Sequence, residues 1–213
     1  GYDQILHDIC LQNLPVVLAV DRAGLVGDDG ETHQGIFDAS FLCSMPNMTV
    51  YSPATQQELI HMLALAIERG EPAAVRYPRG SLMQAVSAQP VEKGKWEILE
   101  PIAEQTVVAT GSMVALALPV ARKLGAGLVN ARTIQPMDFE MLDEIRNKAR
   151  RVVVLEESVD CLGLRIAAEL SPVPVVRMCV PCLPASQATV NHQRSCCGLT
   201  AEALEANLLE KLP

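Results

Sequence analysis

"TVVATGSMVALALPVARKLGAGLVNA", residues 106–131, is the stretch on which the fold turns. It opens on a β-branched run (106–110), continues with helical apolar spacing over 112–124, and returns to a second apolar run at 127–131. Strand, helix and strand of this kind, with nearly unbroken Val and Leu in the strands, mark a mostly parallel sheet covered on both faces. The same alternation extends outward in both directions. Downstream lie a helix over 138–149 with Asp138 as N-cap, a strand "RVVVLEE" (151–157) and a helix around 162–170. A strand "VPVVRMC" (173–179) and a helix over 200–211 capped by Thr200 follow. Upstream lie strands at 14–20, 48–52 and 73–78 and helices at 37–45 and 55–70. In the last of these, Thr55 and Glu58 form a capping-box pattern and Gly70 stands just past the end.

Residues 81–95 carry Ser, Gln, Pro, Lys and Gly without sustained period and read as a linker. The expectation is therefore two α/β units, 1–80 and 96–213, the first of them incomplete. Its opening, "GYDQILHDIC", starts within a helical pattern, with Ile5, Leu6, Ile9 and Cys10 on one face and no capping residue ahead. That suggests a piece of a longer protein.

Composition narrows the class. Apolar residues make up 49% and aromatics only 3%, so the core is expected to be aliphatic. A net charge of −8 argues against nucleic acid or an anionic membrane surface as partner. The chain has no apolar window of membrane-spanning length and no signal-type opening, which reads as soluble and cytoplasmic. Seven cysteines, several in apolar runs, favour free thiols in a reducing compartment. Cys179, Cys182, His192 and Cys196 have spacing from which a zinc site can be drawn, the alternative being plain loop and strand-end thiols.

In open α/β sheets, ligands bind beyond the carboxyl ends of the strands. Three such ends carry unusual side chains: Asp21, Arg22, Asp29 and His33 after strand 14–20, Arg79 within "RYPRG", and Glu156 with Glu157. If the strands at 14–20 and 73–78 are neighbours, Arg22 and Arg79 converge on one anion, which guanidinium forks hold bidentately. His33 then exchanges a proton with a substrate oxygen while Asp29 sets its tautomer. Glycines 24, 27, 30 and 35 allow close backbone approach to a ligand. The plainer alternatives are surface pairing of the arginines with Asp21 or Glu31, an ordinary loop histidine, and a solvated or interface glutamate pair. Gly111 and Ser112 form either a phosphate cradle at a helix N-terminus or, more simply, a tight turn.

The segments "YDQILHD", "LPVVLAVDRAGLVGDDGETHQGIFDASFL", "MPNMTVYSPATQQEL" and "PAAVRYPRG" together resemble the 1-deoxy-D-xylulose-5-phosphate synthase family of the transketolase superfamily. The resemblance is strong over residues 2–80 and continues through "GSMVALAL", "NARTIQPMD" and "VVVLEE". It implies part of a pyrimidine-binding domain followed by a transketolase C-terminal-type α/β domain. The implied enzyme uses thiamine diphosphate and Mg2+ to condense pyruvate with glyceraldehyde 3-phosphate, losing carbon dioxide. By the same resemblance Arg22 and Arg79 hold the aldehyde's phosphate, and His33 and Asp29 are active-site groups. The family's Gly-Asp-Gly diphosphate motif does not occur, and its activating glutamate belongs just before Gly1. The resemblance thus implies that these residues alone bind no cofactor and are inactive, and that they form a homodimer or pair with an N-terminal portion. Other readings are a transketolase half, a 2-oxo-acid dehydrogenase β subunit, or a non-catalytic assembly or anion-sensing paralogue. The stretches "VDCLGLRIAAEL", with only Gly163, and "CVPCLPASQATVNHQRSCCGLT", with Cys182 in place of an acid, depart from the family pattern.

Overall fold

Strand and helix alternate to build two sheets in the computed structural model, which describes residues 1–84, 89–181 and 186–210. In the first sheet β1 (Val17–Val20), β3 (Ala73–Arg76) and β2 (Thr49–Tyr51) are parallel neighbours in that order. The outer side of β2 is taken by β7 (Thr133–Gln135), which runs antiparallel to it. The second sheet has the order β4 (Glu97–Glu100), β6 (Gly127–Asn130), β5 (Gln105–Ala109), β8 (Arg151–Val159) and β9 (Val175–Val180). All its pairs are parallel except β4 with β6. The architecture is α/β with two mostly parallel sheets. Neither β4 nor β7 is foreseen in the sequence, and β7 joins the sheet of the preceding unit, so sheet membership does not follow the linker.

The helices sit where the apolar spacing puts them. α1 (Tyr2–Gln4) continues as a π-helix over Ile5–Cys10, whose Ile5, Leu6, Ile9 and Cys10 pack on the core as expected. α2 (Asp38–Cys43) and α3 (Gln56–Arg69) connect the strands of the first sheet. At the start of α3, Thr55 accepts from the Glu58 N–H, but the Glu58 carboxylate accepts from the Ala54 N–H at 2.7 Å instead of closing a capping box. α4 (Met113–Leu124), α5 (Phe139–Lys148), α6 (Leu162–Leu170) and α8 (Ala201–Leu209) cover the second sheet, with Asp138 and Thr200 as side-chain caps of α5 and α8. A further helix, α7 (Val190–Cys196), occupies the cysteine-rich stretch read from sequence as loop.

β8 divides the core by its two-residue period. Val152 and Val154 point into one aliphatic cluster, shared with α2, α5 and α6, and Val153 and Leu155 into the other, shared with α4 and α8. The first cluster also contains Cys10, Val50 and Ala74, so it runs continuously from the first sheet to the second. A buried ionic network joins the same two parts. Arg132 reaches Glu58 at 2.8 Å and Glu97 at 2.6 Å, and Asn130 donates to Glu58 at 2.8 Å. All four are under a tenth exposed.

Candidate active site

β1 and β3 pair in parallel with Val20 opposite Arg76, so their carboxyl ends emerge side by side. The neighbour relation on which Arg22 and Arg79 depend is therefore present. From β1 the chain turns through Arg22, whose φ of 62° is left-handed and strained for a residue with a side chain. Asp21 steadies the turn by accepting the Arg22 N–H at 2.7 Å. Two short 3-10 turns follow, Gly27–Asp29 and Glu31–His33. The Gln34 carboxamide ties them together, accepting from the Val26 N–H at 2.8 Å and donating to the Gly30 carbonyl at 3.0 Å.

Asp29 lies between the two arginines. Its Oδ2 meets Arg22 Nε at 3.2 Å and its Oδ1 meets Arg79 Nη1 at 2.8 Å. Both guanidiniums are about half exposed, at 45% and 52%, so each has faces open to a ligand. Two positive charges around one negative leave the group cationic in an otherwise acidic chain. His33 is exposed, and its Nδ1 lies 2.9 Å from Thr32 Oγ1. Asp29 thus bridges the arginines here, and the ring nitrogen contact of His33 comes from Thr32.

The other arginine of "RYPRG" has a different task. Arg76 is buried and holds Asp38 through two bonds, Nε at 2.6 Å and Nη2 at 3.0 Å, and donates to the Gly35 carbonyl at 3.3 Å. Burial by itself would lower its pKa, but the charge and hydrogen bonds of Asp38 outweigh that and hold it above the ordinary arginine value. Arg76 therefore fixes the point where the site loop enters α2.

The glycines serve the protein's own packing as much as any ligand. Gly24 and Gly35 exchange two backbone hydrogen bonds, at 2.7 and 2.9 Å. A Cβ on Gly24 would lie 2.7 Å from Glu157 Oε2. The glutamate pair is not solvated, which corrects the plain reading of it. Adjacent residues on a strand face opposite ways, so each acid meets a different helix. Glu156, 1% exposed, accepts from the N–H groups of Cys161, Leu162 and Gly163 and so caps α6. Glu157 accepts from Ser112 Oγ at 2.6 Å and from Arg194 at 2.6 and 2.9 Å. At the start of α4, where Gly111 and Ser112 form the turn, the anion Ser112 meets is a carboxylate of the protein itself.

Arg194 on α7 and Arg79 face a common cavity of about 550 Å³, also lined by Leu25, Val26, Met83 and Val190. The six described cysteines are free thiols. Cys196 Sγ lies 3.5 Å from His192 Nε2 one turn away, and Cys182 lies outside the described residues. Among the described residues no three His, Cys, Asp or Glu side chains gather as a metal site, and no helix is long and apolar enough to cross a membrane.

Both parts of the chain are similar to known proteins. Residues 1–84 match the family described as transketolase, pyrimidine binding domain, and residues 94–204 match transketolase, C-terminal domain. The 1-deoxy-D-xylulose-5-phosphate synthase of Clostridium tetani is 48% identical over 165 residues, covering 75% of this chain and 27% of that protein. The enzyme of the same name from Syntrophus aciditrophicus is 42% identical over 221 residues, covering 97% of this chain and 34% of its own length. The chain therefore spans only about a third of these relatives. Among solved structures, a split gene transketolase described as an inactive β4 tetramer superposes with a TM-score of 0.90 at 29% identity, covering 99% of this chain and 71% of that one. With the two profiles in chain order over a fold that superposes on a transketolase chain, the protein belongs to the transketolase family.

Proposed function

We propose that the chain forms the acceptor-phosphate side of a 1-deoxy-D-xylulose-5-phosphate synthase, which condenses pyruvate with glyceraldehyde 3-phosphate and releases carbon dioxide. The observation that carries this reading is the convergence of Arg22 and Arg79 on the two oxygens of one carboxylate, at 3.2 and 2.8 Å. A phosphate has the charge and the oxygen geometry to take further donors from both forks. Asp29 keeps the two guanidiniums in place, and His33, four residues on, exchanges a proton with the aldehyde oxygen. The identities of 48% and 42% to synthases, against 29% to the split transketolase, favour the synthase over a transketolase half.

Thiamine diphosphate, when bound in the complete enzyme, supplies the electron sink for decarboxylation. Among the described residues no three His, Cys, Asp or Glu side chains gather, so Mg2+ is assigned to none of them. A cytoplasmic location, and assembly as a dimer or with an N-terminal portion, belong to the same proposal.

The test is Arg79→Ala in the complete enzyme. Losing one charge-assisted contact should lower kcat/KM for glyceraldehyde 3-phosphate by about ten- to hundredfold. The KM for pyruvate should stay as it was, as should turnover of unphosphorylated glyceraldehyde. Equal losses for all three substrates would overturn the phosphate assignment.

A further inference from the structure

We propose that Gln193, on α7 of the C-terminal half, is a positioning residue for the two-arginine site and acts through the backbone of Gly27. The inference rests on the reading of Arg22 and Arg79 as phosphate ligands. Gln193 is 2% exposed, and both ends of its carboxamide are engaged. Its Oε1 accepts from the Gly27 N–H at 3.0 Å, and its Nε2 donates to the Ser186 carbonyl at 2.9 Å and to the Gly27 carbonyl at 3.4 Å. A buried amide with donor and acceptor both used has one orientation open to it, so it locates Gly27 instead of merely packing on it.

The fit around Gly27 is close. A Cβ there would stand 3.1 Å from the Ala188 carbonyl oxygen and 3.3 Å from Val190 Cγ2, so the entry to α7 lies directly on the loop. The next residue of the helix reaches the other end of the same segment. Arg194 holds Glu157, whose Oε2 occupies the space that a side chain on Gly24 would need. Gln34 ties the opposite side of the loop at Val26 and Gly30. Gly27 begins the turn that ends at Asp29. A shift of Gly27 is passed to Asp29, and from Asp29 to the guanidiniums bonded to it. Gln193 touches no substrate in this arrangement. It sets the spacing of the groups that do.

The experiment uses Gln193→Met, which keeps the volume and removes the hydrogen bonds, in the complete enzyme. The KM for glyceraldehyde 3-phosphate should rise about tenfold with kcat within about twofold, since small displacements of binding groups carry penalties of that order. The KM for pyruvate and turnover of unphosphorylated glyceraldehyde should not move. Hydrogen exchange should quicken at Gly27–Asp29 while β5 and β8 stay protected. An unchanged KM for the aldehyde phosphate, equal losses for every substrate, or unchanged exchange at Gly27 would each overturn the proposal. Gln193→Glu decides the matter if Gln193→Met loses protection throughout. It keeps the acceptor for the Gly27 N–H but sets a carboxylate against the Ser186 and Gly27 carbonyls, and the same selective loss is expected. Global loss of protection there too would assign Gln193 to stability alone and overturn the proposal. Arg79→Ala separates the two readings. If it leaves phosphate selectivity intact, the phosphate assignment itself has failed. If it removes selectivity and Gln193→Met does not, only the positioning role has.

Discussion

At Gly35 an added Cβ would lie 2.0 Å from the carbonyl oxygen of Arg22 and 3.0 Å from the Ala23 Cα. Those neighbours are backbone and cannot rotate away, so the chain must open where the site loop closes on itself. Gly35→Ala should therefore cost more than about 2 kcal/mol, since such a clash can be relieved only by backbone strain. Chemical denaturation of the variant checks this. At this scale the sequence is legible in kind and less so in partner. Arg22 and Arg79 stand out because they follow strands and because "DRAG" and "RYPRG" are distinctive together. That Asp29 joins them depends on how two 3-10 turns fold back, which no local pattern encodes. Gly24 and Gly35 are recognisable as positions of close approach, but the approaching group is the protein's own backbone or carboxylate.

Among the elements, β8 does most to organise the site, through two consecutive acids that face opposite ways. Glu156 accepts from three backbone N–H groups at the start of α6 and from Ser158 Oγ at 2.5 Å. All its neighbours are donors, so Glu156→Gln sets an amide NH2 against at least one of them. A loss of about 2 kcal/mol is expected from the charge-assisted bonds and the helix dipole together, measurable as a lower denaturation midpoint with an unchanged slope. Long helices such as α3 and α4 are readable because their apolar faces repeat over several turns. β4 and β7 escape notice because neither lies in an apolar run: "EILE" is half charged, and "TIQ" stands between Arg132 and Pro136. α7 is missed because cysteine, histidine and asparagine hide a seven-residue helix whose one clear sign is the Thr189 cap.

Across the whole molecule the two sheets are joined by the shared aliphatic cluster and by the Arg132 network. Arg132 is 3% exposed and pairs with two buried carboxylates that come from α3 and β4. Removing it by Arg132→Met leaves both uncompensated, at an expected cost of about 3–5 kcal/mol. Adding Glu58→Gln and Glu97→Gln should recover part of that loss in the same unfolding experiment, and an additive further loss would show that the charges are not coupled. Such a network is invisible in sequence because its members are separated by tens of residues and look like ordinary surface charges.

The strand β7 has one more implication, for how this chain can be divided. Cutting the polypeptide between the two matched families removes the antiparallel partner of β2 and leaves that edge of Thr49–Tyr51 unpaired, with the Ser52 N–H losing the Arg132 carbonyl it donates to at 2.9 Å. A bare edge of that kind recruits strands from other molecules. The halves are thus poor candidates for separate expression or for exchange between proteins.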